Sequence, residues 1–251
     1  MSTESWFTPE WPAPPGVGAV MTTRRGGQGH APYDSFNLGD HVGDDPATVR
    51  RHRERLAQAL GVTPVYLQQV HGHDVVHLSE GCRGQPPVVA DAAVSTTPGL
   101  ACTILVADCL PVLLAHDGGR GVGAAHAGWR GLAGGVLENT VAALCQATGC
   151  DPGSLVAWLG PCIGPRRFEV GAEVREAFCR VHTGAAARFR PGAQAGKWLA
   201  DLPGLARDRL TSCGVTRISA LGACTVEESS RFFSFRRDGR TGRMAALVWV
   251  G

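Results

Sequence analysis

The sequence predicts a single α+β domain built on mixed sheets, and three observations lead there. Strand-like and helix-like runs are interleaved without the strict alternation of a doubly wound fold. No linker, low-complexity segment, internal repeat or composition break divides the 251 residues. Hydrophobic residues make up 44% of the chain, enough for one sizeable core, whereas length alone leaves one or two domains open.

Local pattern predicts each element. Val17 to Arg24 is a strand ended by Arg25-Gly26-Gly27, and a glycine-rich loop follows to Asp45. Asp45-Pro46 has the form of an N-cap with proline at the first helical position. Val49, Leu56 and Leu60 share one helical face, and Gly61 ends that helix. Val65 to Gly72 alternates as a strand with Val65, Leu67, Gln69 and His71 on one face; Asp74 to Leu78 continues it or pairs with it. Ala101 to Cys109 is apolar on both faces, as in a strand buried on both sides. Val112 to His116 and Val122 to His126 are strands joined by Asp117-Gly118-Gly119. Leu132, Val136, Val141, Leu144, Cys145 and Thr148 recur at helical spacing. Val156 to Leu159 is a short strand, and Val170 to His182 and Trp198 to Cys213 are helices. Ile218, Phe232 to Phe235 and Met244 to Val250 are closing strands.

Composition excludes several classes. Lys plus Arg is 24 and Asp plus Glu is 22, a net charge of +2, with the arginines spread along the chain; a nucleic-acid binder concentrates its basic residues. No run of about 18 apolar residues exists to span a membrane. The longest apolar stretch, Leu100 to Ala115, is broken by Thr103, Asp108 and Pro111. Nine cysteines form an odd set, and Met1 to Pro15 has neither a basic nor an apolar leader region, so a reduced, cytoplasmic protein is expected.

Three segments present metal-type ligands where an apolar strand meets glycine or proline: Gln68-Gln69-Val70-His71-Gly72, Val106-Ala107-Asp108-Cys109-Leu110-Pro111 and Ala124-Ala125-His126-Ala127-Gly128-Trp129-Arg130-Gly131. The candidates lie 38 and 17 residues apart, unlike the short pairs of zinc fingers and zincins, so spacing alone leaves buried core cysteine and histidine as the competing explanation.

Those segments occur in order with Met21-Thr22-Thr23-Arg24, Ser35-Phe36-Asn37-Leu38-Gly39, His41-Val42-Gly43-Asp44-Asp45, Leu159-Gly160-Pro161-Cys162-Ile163-Gly164, Phe168-Glu169-Val170 and Phe232-Phe233-Ser234-Phe235-Arg236-Arg237-Asp238. Together they closely resemble the YfiH/YlmD family, whose members are also called laccase-domain proteins, polyphenol oxidases, purine nucleoside phosphorylases and peptidoglycan editing factor. The match runs from about residue 17 to the C-terminus. It sets residues 1–16 apart as an N-terminal extension and makes 17–251 one catalytic domain. The resemblance implies a four-layer α/β/β/α sandwich with zinc held by His71, Cys109 and His126. It also carries over Arg24 and Asn37 as catalytic and substrate-binding residues and Arg236 as substrate-binding, with Cys109 catalytic as well as a ligand. The family's Phe-Phe-Ser-Tyr reads Phe-Phe-Ser-Phe here, which removes a hydroxyl at Phe235, and an asparagine of the first helix stands as His52.

Two histidines and one cysteine leave the fourth tetrahedral position of zinc open, the mark of a catalytic site. Asp108 follows strand alternation to the opposite face from Cys109 and is expected to accept a hydrogen bond rather than bind metal. His52-Arg53-Glu54 matches the deaminase H-x-E, but no P-C-x-x-C accompanies it, and its charged helix predicts a solvated face. Arg24, Arg25, Arg130, Arg236 and Arg237 are candidates for phosphate, since guanidinium matches phosphate oxygens in pairs. Asn37 is a candidate for purine or ribose, with a turn role as the alternative.

The expected function is zinc-dependent phosphorolysis of adenosine, inosine or methylthioadenosine, with adenosine deamination as a further activity, in a monomer or homodimer that uses purine nucleoside and phosphate. Three alternatives stand beside it. A copper-dependent polyphenol oxidase would use the ion that outcompetes zinc at many N/S sites, with His73 as an extra ligand. Against it, the chain has one H-x-H pair and no H-C-H segment. A Cys-His hydrolase editing peptidoglycan precursors would pair Cys109 with His126 or His71. A non-enzymatic nucleotide-binding module would use the cleft without chemistry.

Overall fold

The computed structural model describes residues 5–251, so the first four residues of the expected extension lie outside it. The first half of the chain forms strands β1 (Trp6–Phe7) and β2 (Val17–Thr22), helix α1 (Pro46–Leu60), and strands β3 (Thr63–Val65), β4 (Val75–Leu78), β5 (Ala92–Ser95), β6 (Leu100–Val106), β7 (Leu110–His116) and β8 (Val122–Ala127). The second half forms helices α2 (Trp129–Gly134) and α3 (Val136–Thr148), β9 (Leu155–Leu159), β10 (Glu169–Val170), α4 (Ala172–Val181), β11 (Phe189–Pro191), β12 (Trp198–Ala200), α5 (Leu202–Ser212), β13 (Arg217–Ala220), α6 (Phe235–Asp238) and β14 (Met244–Val250).

Two mixed sheets lie face to face. One runs β1-β2-β14-β6-β3, and the other runs β13-β9-β7-β8-β5-β4. Parallel pairs occur at β3–β6, β4–β5 and β13–β9, and the remaining pairs of these sheets are antiparallel. Met21, Ile104, Val106, Leu113, Trp158 and Val248 fill the space between them. On the outer face of the first sheet, Phe36, Leu56, Leu105 and Leu247 pack together under α1. On the outer face of the second, Leu110, Val112, Val141, Leu144, Val174 and Leu205 join the strands to α3, α4 and α5. Each sheet is therefore covered on both faces, which is why its central strands are apolar throughout rather than alternating. This is the single-domain, four-layer arrangement with mixed sheets that the sequence predicts.

Helix α1 forms as expected. Asp45 accepts from the backbone N–H of Ala47 and Thr48, and Gly61 takes the left-handed conformation (φ 66°) that closes the helix. Several other segments differ. Residues 66–72 are not a strand: β3 ends at Val65, and the backbone N–H groups of Val70, His71 and Gly72 bind the Asp91 carboxylate instead of a neighbouring strand. Residues 75–78 neither continue β3 nor pair with it; they lie parallel to β5 in the other sheet. The helix expected over 132–148 starts earlier, at Trp129, and is broken at Gly135 (φ 100°). Trp198–Ala200 is a strand, and α5 starts only after Asp201, which caps it by accepting from Gly204 N–H. Phe232 to Phe235 is not a strand: Phe232 and Phe233 are wholly buried, and Ser234 caps α6. Within the expected extension, Trp6–Phe7 pairs with β2 at the edge of the first sheet.

Candidate metal centre

The fold brings His71, Cys109 and His126 together, with their ligand atoms all within 4.8 Å of one another. Each comes from a different kind of position. His71 sits in the coil after β3, and Cys109 in the turn that carries the chain from β6 in one sheet to β7 in the other. His126 is on β8, directly opposite Pro111. His71 Nε2 lies 3.8 Å from Cys109 Sγ, and the two imidazole rings meet edge-on at 4.8 Å.

This donor set fits a metal ion. Tetrahedral zinc with sulfur at ~2.3 Å and nitrogen at ~2.05 Å separates those ligands by about 3.6 Å, close to the distance found. Burial alone would push the Cys109 thiol up, but His126 and His71 outweigh it and hold the thiol down to about 6. His126, despite burial, is raised to about 9 by Cys109 and Asp91. The cluster thus favours the thiolate that a metal requires. The other cysteines behave differently: the nine described cysteines are all free, and burial pushes the thiols of Cys102, Cys162 and Cys213 up, away from reactivity.

Asp91 organises the centre and was not singled out from the sequence. Its carboxylate is fully buried. One oxygen accepts from His71 N–H (2.9 Å) and His126 Nδ1 (2.7 Å); the other accepts from Val70 N–H (3.0 Å) and Gly72 N–H (2.7 Å). Burial would raise its pKa, but these bonds dominate and hold it below the usual carboxylate range. Because Nδ1 of His126 donates to Asp91, Nε2 is left to face Cys109 and an ion, the second partner that metal-binding histidines commonly have. A signal was present: Asp91 is a lone acid opening the buried run Ala92–Ser95.

Among the described residues, the two non-glycine residues at positive φ are both here, His71 (61°) and Asp108 (89°). Such backbone costs about 1–3 kcal/mol per residue and persists only where neighbours enforce it. Asp91 enforces the first. For the second, Asp108 accepts from Thr225 Oγ1 (2.6 Å) and from Arg236 N–H (2.7 Å), and its carbonyl accepts from Ile163 N–H (2.9 Å). Asp108 is therefore a hydrogen-bond acceptor, as expected, but from a turn rather than a strand. Gly128 and Gly131 permit the close approach: a Cβ on Gly128 would lie 3.0 Å from Cys109 Sγ, and one on Gly131 would lie 2.5 Å from the Gly72 carbonyl oxygen.

A cleft of about 510 Å³ opens over the three ligands, walled by Leu105, Trp129, Ile163, Phe168, Leu202 and Phe235. Arg130, Arg236 and Arg243 bring cations to it. Arg236 is thus placed at the cleft, with Nη1 donating to Glu169 O and its guanidinium over Phe168. Arg24 and Asn37 are not among its lining residues. Arg24 holds loops together instead, donating to Asp34 and to Ser229 O and stacking on Phe233. Asn37 is fully buried: Nδ2 donates to Gly39 O and Asp44, and Oδ1 accepts from the N–H groups of Gly39 and Arg243. Its amide is fully engaged in the loop, the turn role weighed above, and it positions Arg243. Arg237 bonds Asp238 and the carbonyls of Thr225 and Phe232. His73 stands apart from the cluster, bonded to Asn139. His52 is buried rather than solvated: Nε2 accepts from Gln28 N–H, so Nδ1 donates to Asn37 O. The H-x-E match is thus a packing residue. Arg243 and His41 line the cleft and were missed as site residues, because only the tertiary fold places them there.

A family model described as multi-copper polyphenol oxidoreductase laccase matches residues 18–251. Curated relatives include a purine nucleoside phosphorylase of Pseudomonas aeruginosa, 51% identical over 248 residues and spanning 98% of both chains. Another is the purine nucleoside phosphorylase YfiH of Escherichia coli, 51% identical over 97% of this chain and 98% of its own. Of solved structures, a Neisseria meningitidis protein matches with a TM-score of 0.93 at 47% identity, over 98% of this chain and 99% of its own. YlmD of Geobacillus stearothermophilus matches with a TM-score of 0.91 at 31% identity, over 100% of this chain and 97% of its own.

Proposed function

The chain belongs to the multi-copper polyphenol oxidoreductase laccase family, and on that footing we propose that it is a zinc-dependent purine nucleoside phosphorylase. The observation that carries the reading is a three-ligand N/N/S cluster at the floor of an apolar cleft rimmed by arginines. Relatives at 51% identity named for the same activity support it.

In phosphorolysis an oxygen of hydrogen phosphate bonds to C1′ of the ribose as the C1′–N9 bond breaks. The bonding pair leaves with the purine, and the phosphate's proton ends on the base. His71, Cys109 and His126 would hold the ion, which when bound would supply a Lewis-acid centre. Asp91 keeps His126 in the tautomer that leaves Nε2 free and fixes the His71 backbone. The side chains of Phe168, Phe235 and Trp129 give the purine flat apolar walls. Arg236, its backbone pinned by Asp108, brings a cation toward the anionic co-substrate. Adenosine, inosine and methylthioadenosine all present the purine that these walls accept, and adenosine deamination is a secondary activity of the same cleft.

The oxidase reading draws on the family's description, which names several coppers; the three-ligand group His71, Cys109 and His126 supports one ion. Zinc-loaded protein is expected to convert adenosine and phosphate into adenine and ribose 1-phosphate, with inosine reporting deamination. Chromatography that finds neither adenine, hypoxanthine nor inosine would overturn the nucleoside reading. Phenol oxidation appearing only with added copper would establish the oxidase instead.

A further inference from the structure

We propose that Arg243 and Arg236 form an oxyanion subsite in the cleft and that its ligand is the orthophosphate co-substrate. The proposal rests on the phosphorolysis reading for the ligand's role, but its geometry stands separately.

Arg243 is the central observation. Its Nη1 donates to the carbonyl oxygens of Thr241 (3.0 Å) and Gly242 (3.1 Å), which fixes the plane of the guanidinium. Its own N–H is held by Asn37 Oδ1 at 2.8 Å, and Phe235 lies against the group, 5.9 Å from Cζ to the ring centre. Nε and Nη2 carry no hydrogen bond to the described residues. That uncommitted edge is the two-donor fork that matches two oxygens of a phosphate.

No carboxylate among the described residues forms an ion pair with Arg243; Asp108 and the Cys109 thiolate act on it only through space. Other arginines in the fold are paired, such as Arg53 with Asp40, Arg188 with Asp208 and Arg209 with Glu138. Asp108, the carboxylate lining the cleft, already has both oxygens engaged by Thr225 and the Arg236 backbone. Arg236 itself has only Nη1 committed, to the Glu169 carbonyl. A fixed, half-buried cation with an open fork favours an anion from solvent, and a second unpaired cation on the same cleft strengthens the field there. Asn37 thereby acts on the reaction through Arg243, without touching substrate.

The test uses full-length zinc-loaded protein, Arg243→Gln, and Arg243→Lys, which keeps the charge but loses the fork. In Arg243→Gln the KM for phosphate is expected to rise about tenfold or more, the effect of losing a charge-assisted pair. The KM for nucleoside should stay within about twofold in this variant, a split that general unfolding would not give. Arg243→Lys should show the same phosphate-selective rise at smaller size. Calorimetric titration with inorganic phosphate should show binding in the wild type that is lost in Arg243→Gln. Nucleoside turnover with an unchanged KM for phosphate in both variants would overturn the subsite and leave phosphorolysis standing. Absent turnover, with phosphate binding that still depends on Arg243, would overturn phosphorolysis and leave the subsite. Equal phosphate binding, or none, in wild type and variant would overturn the subsite.

Discussion

Replacing one carboxylate oxygen of Asp91 by an amide isolates its part in the metal centre. In Asp91→Asn the side chain keeps its shape, but an NH2 now faces N–H groups that the carboxylate had accepted from. Zinc affinity is expected to fall about 10–100-fold, as for other outer partners of metal-binding histidines. Competition with a chromophoric chelator measures this, and unchanged affinity would show that the loop holds itself. At this scale the sequence was informative about ligands and silent about what arranges them. His71, Cys109 and His126 stand in recognisable segments, whereas Asp91 acts across 35 residues on His126 and Arg243 meets Asn37 across 206. Such partners have no local pattern. Arg24 and Asn37 had one, but a matching segment does not show which side of the loop a side chain takes.

Helix α1 offers a test by pH. The Asp45 carboxylate accepts from the Thr48 hydroxyl and N–H, and these bonds hold its pKa below the ordinary 3.8. A lowered folded-state pKa gives stability that is complete above the unfolded value and is lost as pH falls through the folded one. Asp45→Ala is therefore expected to melt below wild type at neutral pH, with the gap narrowing once pH drops under 3.8. A thermal shift series from pH 7 to pH 3 checks this, and a constant gap would mean that the cap acts without its charge. The same helix was fully legible because its start and stop are both local: an N-cap with proline after it, and a glycine after the last turn. Elements set by distant groups were not. Residues 66–72 alternate as a strand would, but the Asp91 carboxylate takes three of their N–H groups. The periodicity over 132–148 is real, but it runs through Gly135, whose left-handed backbone divides the helix.

The whole molecule carries its stability in the layer between the two sheets and in their helical covers, and of the three ligands only Cys109 packs against that inter-sheet layer. Removing the ion with a chelator is expected to leave the far-ultraviolet circular dichroism unchanged. Saturation at a hundredfold over Kd adds about 2.7 kcal/mol, so the melting midpoint should fall by about 5–10 °C. Collapse of the spectrum would instead make the ion structural. The layer count was legible through the family resemblance, while composition and periodicity reached only a mixed α+β domain. Strand order was not legible, because neighbours come from opposite ends of the chain. Strand β14 lies between β2 and β6, pairing Leu247 with both Val20 and Thr103. This has a consequence on the ribosome. Until β14 emerges, β2 and β6 each present unpaired backbone N–H and C=O groups on the edge where it will lie, and Arg243 immediately precedes that strand. The sheet closes only when Met244–Val250 leaves the exit tunnel, so the polypeptide completes its hydrophobic interior and the arginine side of its cleft in the same step.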